Sequence, residues 1–299
     1  MIFRKIPQRS DMITLNPPAK INWSLYVLDK RKDGYHNIIS LMQCVGLYDF
    51  MTFEKAPAIE FQSDMRIPKE MNLVFRAAIA LKEAAGTGLG ARIVLRKEVP
   101  TGAGLGGGSS DAAFTLIGLN RLWGLDMGLE ELQGIAASLG SDVPFFLNCP
   151  AALVQGRGEM MLPVHVSGFR TLLLVKPEAS IPTAWAYEKV ADSEGVRNGI
   201  FDLTNTEEKL NNIKLIIKTL NEGPLSLLRS VLHNDFEQIA IERHPVIGEI
   251  RSKMLAAGAA AALLSGSGAA VFGLFEEEKR AREVANSFPL FWHRVVKTL

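Results

Sequence analysis

The stretch from Pro100 to Ala113, PTGAGLGGGSSDAA, limits what this chain can be more than any other. Glycine stands at 102, 104, 106, 107 and 108, broken only by Ala103 and Leu105. A packed core has no use for such a run. Without a Cβ the backbone can take positive φ and come close to a bound group. Successive N–H groups turned into one concavity form an anion-binding nest. Ala91 to Val99 precedes the run and reads as a strand through Ile93, Val94 and Leu95. Ser109, Ser110 and Asp111 then stand ahead of Ala112, Ala113, Leu116 and Leu119 at helical spacing, the pattern of a helix start. Strand, glycine loop and helix N-terminus together favour phosphate, because orphan N–H groups and the helix dipole both attract negative charge.

Other glycine loops fit less well. Gly102, Gly104 and Gly107 satisfy G-x-G-x-x-G, but a dinucleotide-binding unit returns to a strand after its helix and carries an acidic residue about 20 positions on. Here a second helical pattern follows, through Leu129, Leu132, Ile135 and Leu139. A Walker loop needs a lysine where Gly108 stands, and the H-R-D and D-F-G of protein kinases are absent. A flexible linker would have polar flanks rather than these patterned ones.

The 299 residues suffice for two domains or one large one. A net charge of +1 gives no basic field for nucleic acid or an anionic membrane. Cys44 and Cys149 are the only cysteines, so there is no C-x-x-C site, and a reducing, cytoplasmic setting is expected. Met1 to Asp11 is basic but lacks the apolar core of a signal peptide; it reads as a disordered extension or an upstream start. Met254 to Phe275 is uncharged and long enough for a bilayer. Its alanines and glycines instead read as a helix end, a strand, a glycine turn and a second strand.

Along the chain, Ala19, Ile21, Trp23, Leu25 and Val27 alternate with Lys20, Asn22, Ser24 and Tyr26. Lys20 and Asn22 thus share a face, either over a site or in solvent. Asp33-Gly34 is a hairpin-turn signal. Tyr35 and His36 after it either cap a strand or offer a stacking face and a polar edge. Leu47 to Asp49 reads as a turn and Asn72 to Gly86 as a helix. Gly140 is placed to end a helix. Asp142 reads as the N-cap of a short helix that Pro144 opens. Thr171 to Pro177 is a strand, and Ile181-Pro182-Thr183 begins a helix with Trp185 and Tyr187. A helical pair broken near Pro245, two strands around Ser265 to Gly268, a helix from Glu276 and a final strand from Trp292 complete the pattern.

At the level of motifs, PTGAGLGGGSSDAA resembles the second signature of the GHMP kinases, the family of galactokinase, homoserine kinase and mevalonate kinase. Asn16 to Leu25 (NPPAKINWSL) is similar to the first signature and Leu264 to Val271 (LSGSGAAV) to the third. The order is right, and the resemblance spans nearly all of the chain from Met12. Pro18 to Asn22, Asp33 to His36, Gly140 to Phe146 and Ile181 to Thr183 are most similar to members that phosphorylate a cytidylyl methylerythritol in non-mevalonate isoprenoid synthesis. Ala151 to Glu159 resembles the family's strand ending in Gly-x-Gly-Glu, while Asn148-Cys149-Pro150 departs from its usual glycine-rich turn.

The resemblance implies an α+β, two-domain GHMP kinase fold. Residues 12–165 would form a ribosomal protein S5 domain 2-like N-terminal domain and 166–299 a ferredoxin-like C-terminal domain, with 1–11 an extension. It implies phosphotransfer from ATP to the 2-hydroxyl of the cytidylyl substrate. The catalytic residues would be Lys20 and Asp142, Asp142 as general base. The phosphate loop would comprise Pro100, Thr101, Gly102, Ala103, Gly104, Leu105, Gly106, Gly107, Gly108, Ser109 and Ser110, with Asn72, Leu73 and Lys97 lining the nucleotide pocket. Asn22, Tyr35, His36, Thr183 and Tyr187 would bind the second substrate, the two tyrosines sandwiching its cytosine. Mg²⁺ would bridge phosphate oxygens, helped by the hydroxyl of Ser109 or Ser110; no protein carboxylate is assigned to it. The expected partners are small molecules only, for a monomer or homodimer. Two alternatives remain: another GHMP kinase, acting on mevalonate or homoserine, and a non-catalytic nucleotide- or RNA-binding protein on the same fold.

Overall fold

Three sheets organise the computed structural model, which describes residues 12–65, 67–148, 150–192 and 203–299. The expectations for residues 1–11, for Cys149 and for part of the polar stretch after Ala191 lie outside the described residues. The chain begins with β1 (Met12–Leu15), β2 (Pro18–Lys30), β3 (His36–Tyr48), β4 (Phe50–Ala56) and β5 (Ile59–Ser63). Helix α1 (Leu73–Ala84) leads to β6 (Gly90–Arg96), and the glycine run leads to α2 (Gly107–Trp123). Then come α3 (Leu129–Leu139), α4 (Val143–Leu147), β7 (Ala151–Gly156) and β8 (Met160–Pro163). One sheet has the order β1-β4-β6-β5, and α1 and α2 pack their apolar stripes over it in one core that includes Phe53, Ile93, Val74 and Leu116.

The remainder comprises β9 (Thr171–Lys176), α5 (Thr183–Ala191), α6 (Leu203–Glu222), α7 (Leu228–Val231), β10 (His233–Asn234), α8 (Phe236–Arg243) and α9 (Val246–Ala256). It closes with β11 (Ala261–Leu264), β12 (Val271–Phe275), α10 (Glu278–Ala285) and β13 (Trp292–Lys297). The sheet β11-β12-β9-β13 is antiparallel throughout. Strands and helices in that sequence make the split βαββαβ arrangement of a ferredoxin-like unit. The expected division at 165/166 falls in the segment between β8 and β9.

The two halves share their interior. Strand β10 pairs in parallel with β2, at the edge of the sheet β10-β2-β3-β7-β8. Ile213 and Ile216 of α6 join Ile21, Trp23 and Leu41 in one core, together with Leu174 and Phe272.

The alternation expected through Val27 breaks at a β-bulge. Asn22 pairs with Met42, but Ser24 pairs with the adjacent Leu41. An extra residue in a strand of side-chain period two exchanges its faces downstream. Ala19, Ile21 and Trp23 accordingly share their core with Tyr26, while Leu25 and Val27 pack in another with Ile181 and Phe236. Both faces of β2 are buried from Pro18 to Val27. A solvated face for Lys20 is therefore ruled out, and Lys20, Asn22 and Leu25 line one cleft.

Helix α2 also starts earlier than its serines suggest. It begins at Gly107, with left-handed Gly106 at its N-cap and no side-chain cap, so Ser109, Ser110 and Asp111 lie inside its first turns. The glycines do the capping work here: they free the first N–H groups for a ligand rather than for a serine oxygen.

Candidate active site

A cleft of about 870 Å³ runs between the two halves and collects nearly every residue singled out from the sequence. Its floor is the glycine loop. Leu105 O accepts from the Lys20 amide at 2.9 Å, fixing the loop to β2, and Ala103 O accepts from the Ala270 amide at 3.1 Å. Ser265 Oγ donates to Gly104 O at 3.1 Å. The third signature thus braces the second from across the cleft. Pro100 to Ser109 all line it. Ser110 does not: its side chain is fully buried and its hydroxyl has no partner among the described residues. Of the loop residues expected to meet the nucleotide, Ser110 is the one that the structure does not bring to the cleft. One helical position separates it from Ser109, and a step of about 100° turns it inward.

Lys20 and Asp142 meet beside this loop. Lys20 Nζ is 3.7 Å from Asp142 Oδ2 and donates to Asn22 Oδ1 at 2.6 Å. The lysine stem runs beneath Gly106, where a Cβ would sit 2.9 Å from Lys20 Cγ. Asn22 Nδ2 in turn donates to Ser40 Oγ at 2.7 Å, and Ser40 donates to Ser24 O. Asn22 is brought to the site as expected, fully buried, with its amide orienting the lysine. Asp142 stands at the N-cap position of α4, as its sequence suggested, but its backbone is already helical and its side chain makes no capping bond. About a third of its side chain stays open to the cleft. Burial lowers the Lys20 pKa, and the charge of Asp142 works against that shift.

At one end of the cleft, Asn72 caps α1 by accepting from the Val74 amide, with Leu73 beside it. Lys97 lines the cleft too, but its ammonium is committed to two carboxylates. Asp49 and Asp111 both accept from it, Asp111 at 2.7 Å. Asp49 is fully buried at the corner between β3 and β4 and also accepts from the amides of Glu98 and Val99. Burial pushes the Asp111 carboxyl up to about 7 against the pull of Lys97, with Asp49 adding to the rise. Sequence reading passed over Asp49. Its only signal is an acid in LYDF at the turn between two apolar strands.

The opposite end is aromatic. His36 and Tyr187 stack at 5.4 Å with planes 20° apart, and Phe236 meets Tyr187 edge-on at 4.8 Å. Burial, with Lys30 adding, lowers the His36 pKa, so the ring is neutral at pH 7. Its Nε2 is buried without a partner among the described residues. Tyr35 is half-exposed, with the Arg157 guanidinium 5.1 Å over its ring. Thr183 Oγ1 lies 3.0 Å from Ser267 Oγ, tying α5 to the glycine turn. Asn234, another residue the sequence did not flag, donates to both Leu264 O and Gly266 O and so holds that turn. A second cavity of about 1030 Å³ around Tyr26 and His233 contains none of the predicted residues.

A braced glycine loop, a buried lysine beside a part-open carboxylate and an aromatic end share one cleft, an arrangement suited to phosphotransfer from ATP to a small molecule. The description "GHMP kinases N terminal domain" matches residues 72–149 and "GHMP kinases C terminal" matches 212–294. The chain belongs to the GHMP kinases, and within them to the family of the 4-diphosphocytidyl-2-C-methyl-D-erythritol kinases. It is 46% identical over 289 residues to the kinase of that name from Thermodesulfovibrio yellowstonii, covering 96% of this chain and 98% of the relative. The one from Geobacter metallireducens is 39% identical, with 92% and 93% covered. A solved 4-(cytidine 5'-diphospho)-2C-methyl-D-erythritol kinase superposes with a TM-score of 0.79 at 32% identity, covering 96% of this chain and 99% of that one. A homoserine kinase from Cytophaga hutchinsonii shares the fold, with a TM-score of 0.75 at 19% identity over 99% and 97% of the two chains. No helix among the described residues is long and apolar enough to cross a membrane.

Proposed function

We propose that this chain transfers the γ-phosphate of ATP to the 2-hydroxyl of 4-diphosphocytidyl-2-C-methyl-D-erythritol, a step of non-mevalonate isoprenoid precursor synthesis. The observation that carries the reading is the placing of the Lys20–Asp142 pair between a phosphate loop and an aromatic end. ATP lies with its phosphates on the Gly102–Ser109 backbone and the N-terminus of α2, its base toward Asn72 and Leu73. The cytidylyl group lies at the Tyr35, His36 and Tyr187 end. Asp142 accepts the proton of the attacking hydroxyl. Lys20 keeps Asp142 ionised and balances charge on the transferred group. Such a reaction asks for positioning and charge stabilisation more than covalent chemistry.

Among the described residues no cluster of three or more His, Cys, Asp or Glu is placed to hold a metal. The donors that fit Mg²⁺ are the ATP phosphates and the Ser109 hydroxyl, and the ion supplies neutralisation of the phosphate charge. Residues 12–165 form the first domain and 166–299 the second, in a cytoplasmic enzyme working as monomer or homodimer. The test is ADP release with ATP, Mg²⁺ and three acceptors. Turnover of the cytidylyl substrate alone is expected. Turnover of mevalonate or homoserine instead discards the substrate assignment.

A further inference from the structure

The cytidylyl substrate carries a diphosphate between its base and the polyol that reacts, and its charge needs a partner midway along the cleft. Lys20 is committed to Asp142 and Asn22, and Lys97 to Asp49 and Asp111. Two other cations line the cleft, Lys30 and Arg157. Lys30 stands opposite His36 at the end of the β2–β3 ladder, at the outer edge of the base site.

Arg157 lines the cleft at the base platform, one residue before the chain meets the segment of Ser141. It occupies the turn from β7 to β8, and its guanidinium lies 5.1 Å over the Tyr35 ring. The next residue, Gly158, abuts the segment that carries the general base: a Cβ there would be 2.8 Å from Ser141 O.

The turn is built to hold it there. Glu159 accepts from the Arg157 amide at 2.6 Å and pairs with Arg31 at 3.6 Å, and Arg31 also holds Asp33 of the Tyr35 hairpin. Asp33 feels the Arg157 charge as well, but its close pair, like that of Glu159, is with Arg31. The Arg157 guanidinium makes no ion pair among the described residues. Its one hydrogen bond there is a long one, Nη2 to Ala137 O at 3.4 Å. A rigid fork of N–H donors with no carboxylate in direct contact among the described residues suits a phosphate bidentately, which a lysine cannot match.

We propose that Arg157 binds the diphosphate of the cytidylyl substrate and sets the preference for a nucleoside diphosphate over a bare nucleoside; this rests on the substrate reading above. The side chain determines specificity and takes no part in the proton transfer.

Competition against the cytidylyl substrate, read by ADP release, tests it with cytidine and CDP as probes. Wild type is expected to bind CDP about tenfold or more tighter than cytidine, the increment of a charge-assisted contact. Arg157→Gln is expected to erase that ratio while the cytidine inhibition constant and the KM for ATP stay within about twofold, and Arg157→Lys to restore part of it. A ratio that survives Arg157→Gln overturns the proposal. So does equal weakening of cytidine and CDP, which would mean that the guanidinium only supports the Tyr35 ring, or loss of the ratio in Lys30→Gln instead. If neither probe competes in wild type, the base platform itself fails and Arg157 falls with it. Competition by cytidine keeps the base reading intact whatever happens to Arg157.

Discussion

The backbone of Gly104 lies against Ser265 so closely that a Cβ on it would be 1.9 Å from the Ser265 carbonyl oxygen. Gly104 also has φ of +75°, where side chains are strained. Two glycine signatures far apart in sequence thus form one cradle, the second resting on the third. Gly104→Ala must move one of them. The conformational strain alone is on the order of 1–3 kcal/mol, and the clash adds to it. A lower Tm and loss of the thermal shift on adding ATP are expected. An unchanged Tm with normal ATP protection would show that the contact is dispensable.

In the proposed mechanism Asp142→Asn removes the proton acceptor but leaves the phosphate loop whole. We expect kcat to fall by roughly 10²–10⁴-fold, with ATP affinity, measured by titration calorimetry, within about twofold of wild type. A near-normal kcat contradicts the base assignment.

The same mechanism makes Lys20 the group that sets the alkaline limit. Its charged form is the useful one, and burial holds its pKa below the ordinary 10.5 while Asp142 holds it up. The kcat–pH profile should therefore decline on the basic side below that value. In the residual activity of Asp142→Asn the decline should begin at still lower pH, because the carboxylate's support is gone. A limb that stays fixed or moves upward in the variant speaks against coupling of the two groups.

Asp111 links stability to pH with the opposite habit from most carboxylates. Its folded pKa is raised from 3.8 to about 7. Between those values the folded chain keeps a proton that the unfolded chain has lost, so stability declines as pH rises through the window. Asp111→Asn lacks this penalty. Its stability relative to wild type should grow by at least ~1 kcal/mol from pH 5 to pH 8, as read by denaturant midpoints. A pH-independent difference between the two proteins would falsify the assignment.

Tyr187→Ala should raise KM for the cytidylyl substrate and leave KM for ATP nearly unchanged. It should also destabilise by about 3 kcal/mol, because the ring packs on His36 and Phe236. Tyr187→Phe keeps the stacked ring and should keep both parameters. Equal rises in the two KM values in Tyr187→Ala would argue against a role in base recognition.

Much of this protein is legible in its sequence because its decisive signals are local. A glycine run next to a helix can be read from composition, since only residues without a Cβ tolerate left-handed backbone and close approach. Apolar periodicity located α1, α2 and α3. The spacing of Lys20 and Asn22 put both on one face, but only the resemblance put that face over a site, where the cleft holds them. Where the motifs stood in the right order, the resemblance to GHMP kinases supplied roles that spacing could not.

Tertiary structure decided what depends on neighbours distant in sequence. The bulge between Asn22 and Ser24 exchanges the faces of β2, and a register shift against β3 leaves no mark on the alternation itself. Whether Lys97 is a surface lysine or the hub of a buried cluster depends on Asp49 and Asp111 arriving from two other elements. Arg157 reads in sequence as one charge at a strand end; its place beside Tyr35 exists only because β7 and the hairpin after β2 belong to one sheet. Sequence determines what each segment can do with its own backbone and side chains. Burial and charge pairing are sums over contacts made across the fold, and only the folded chain fixes them.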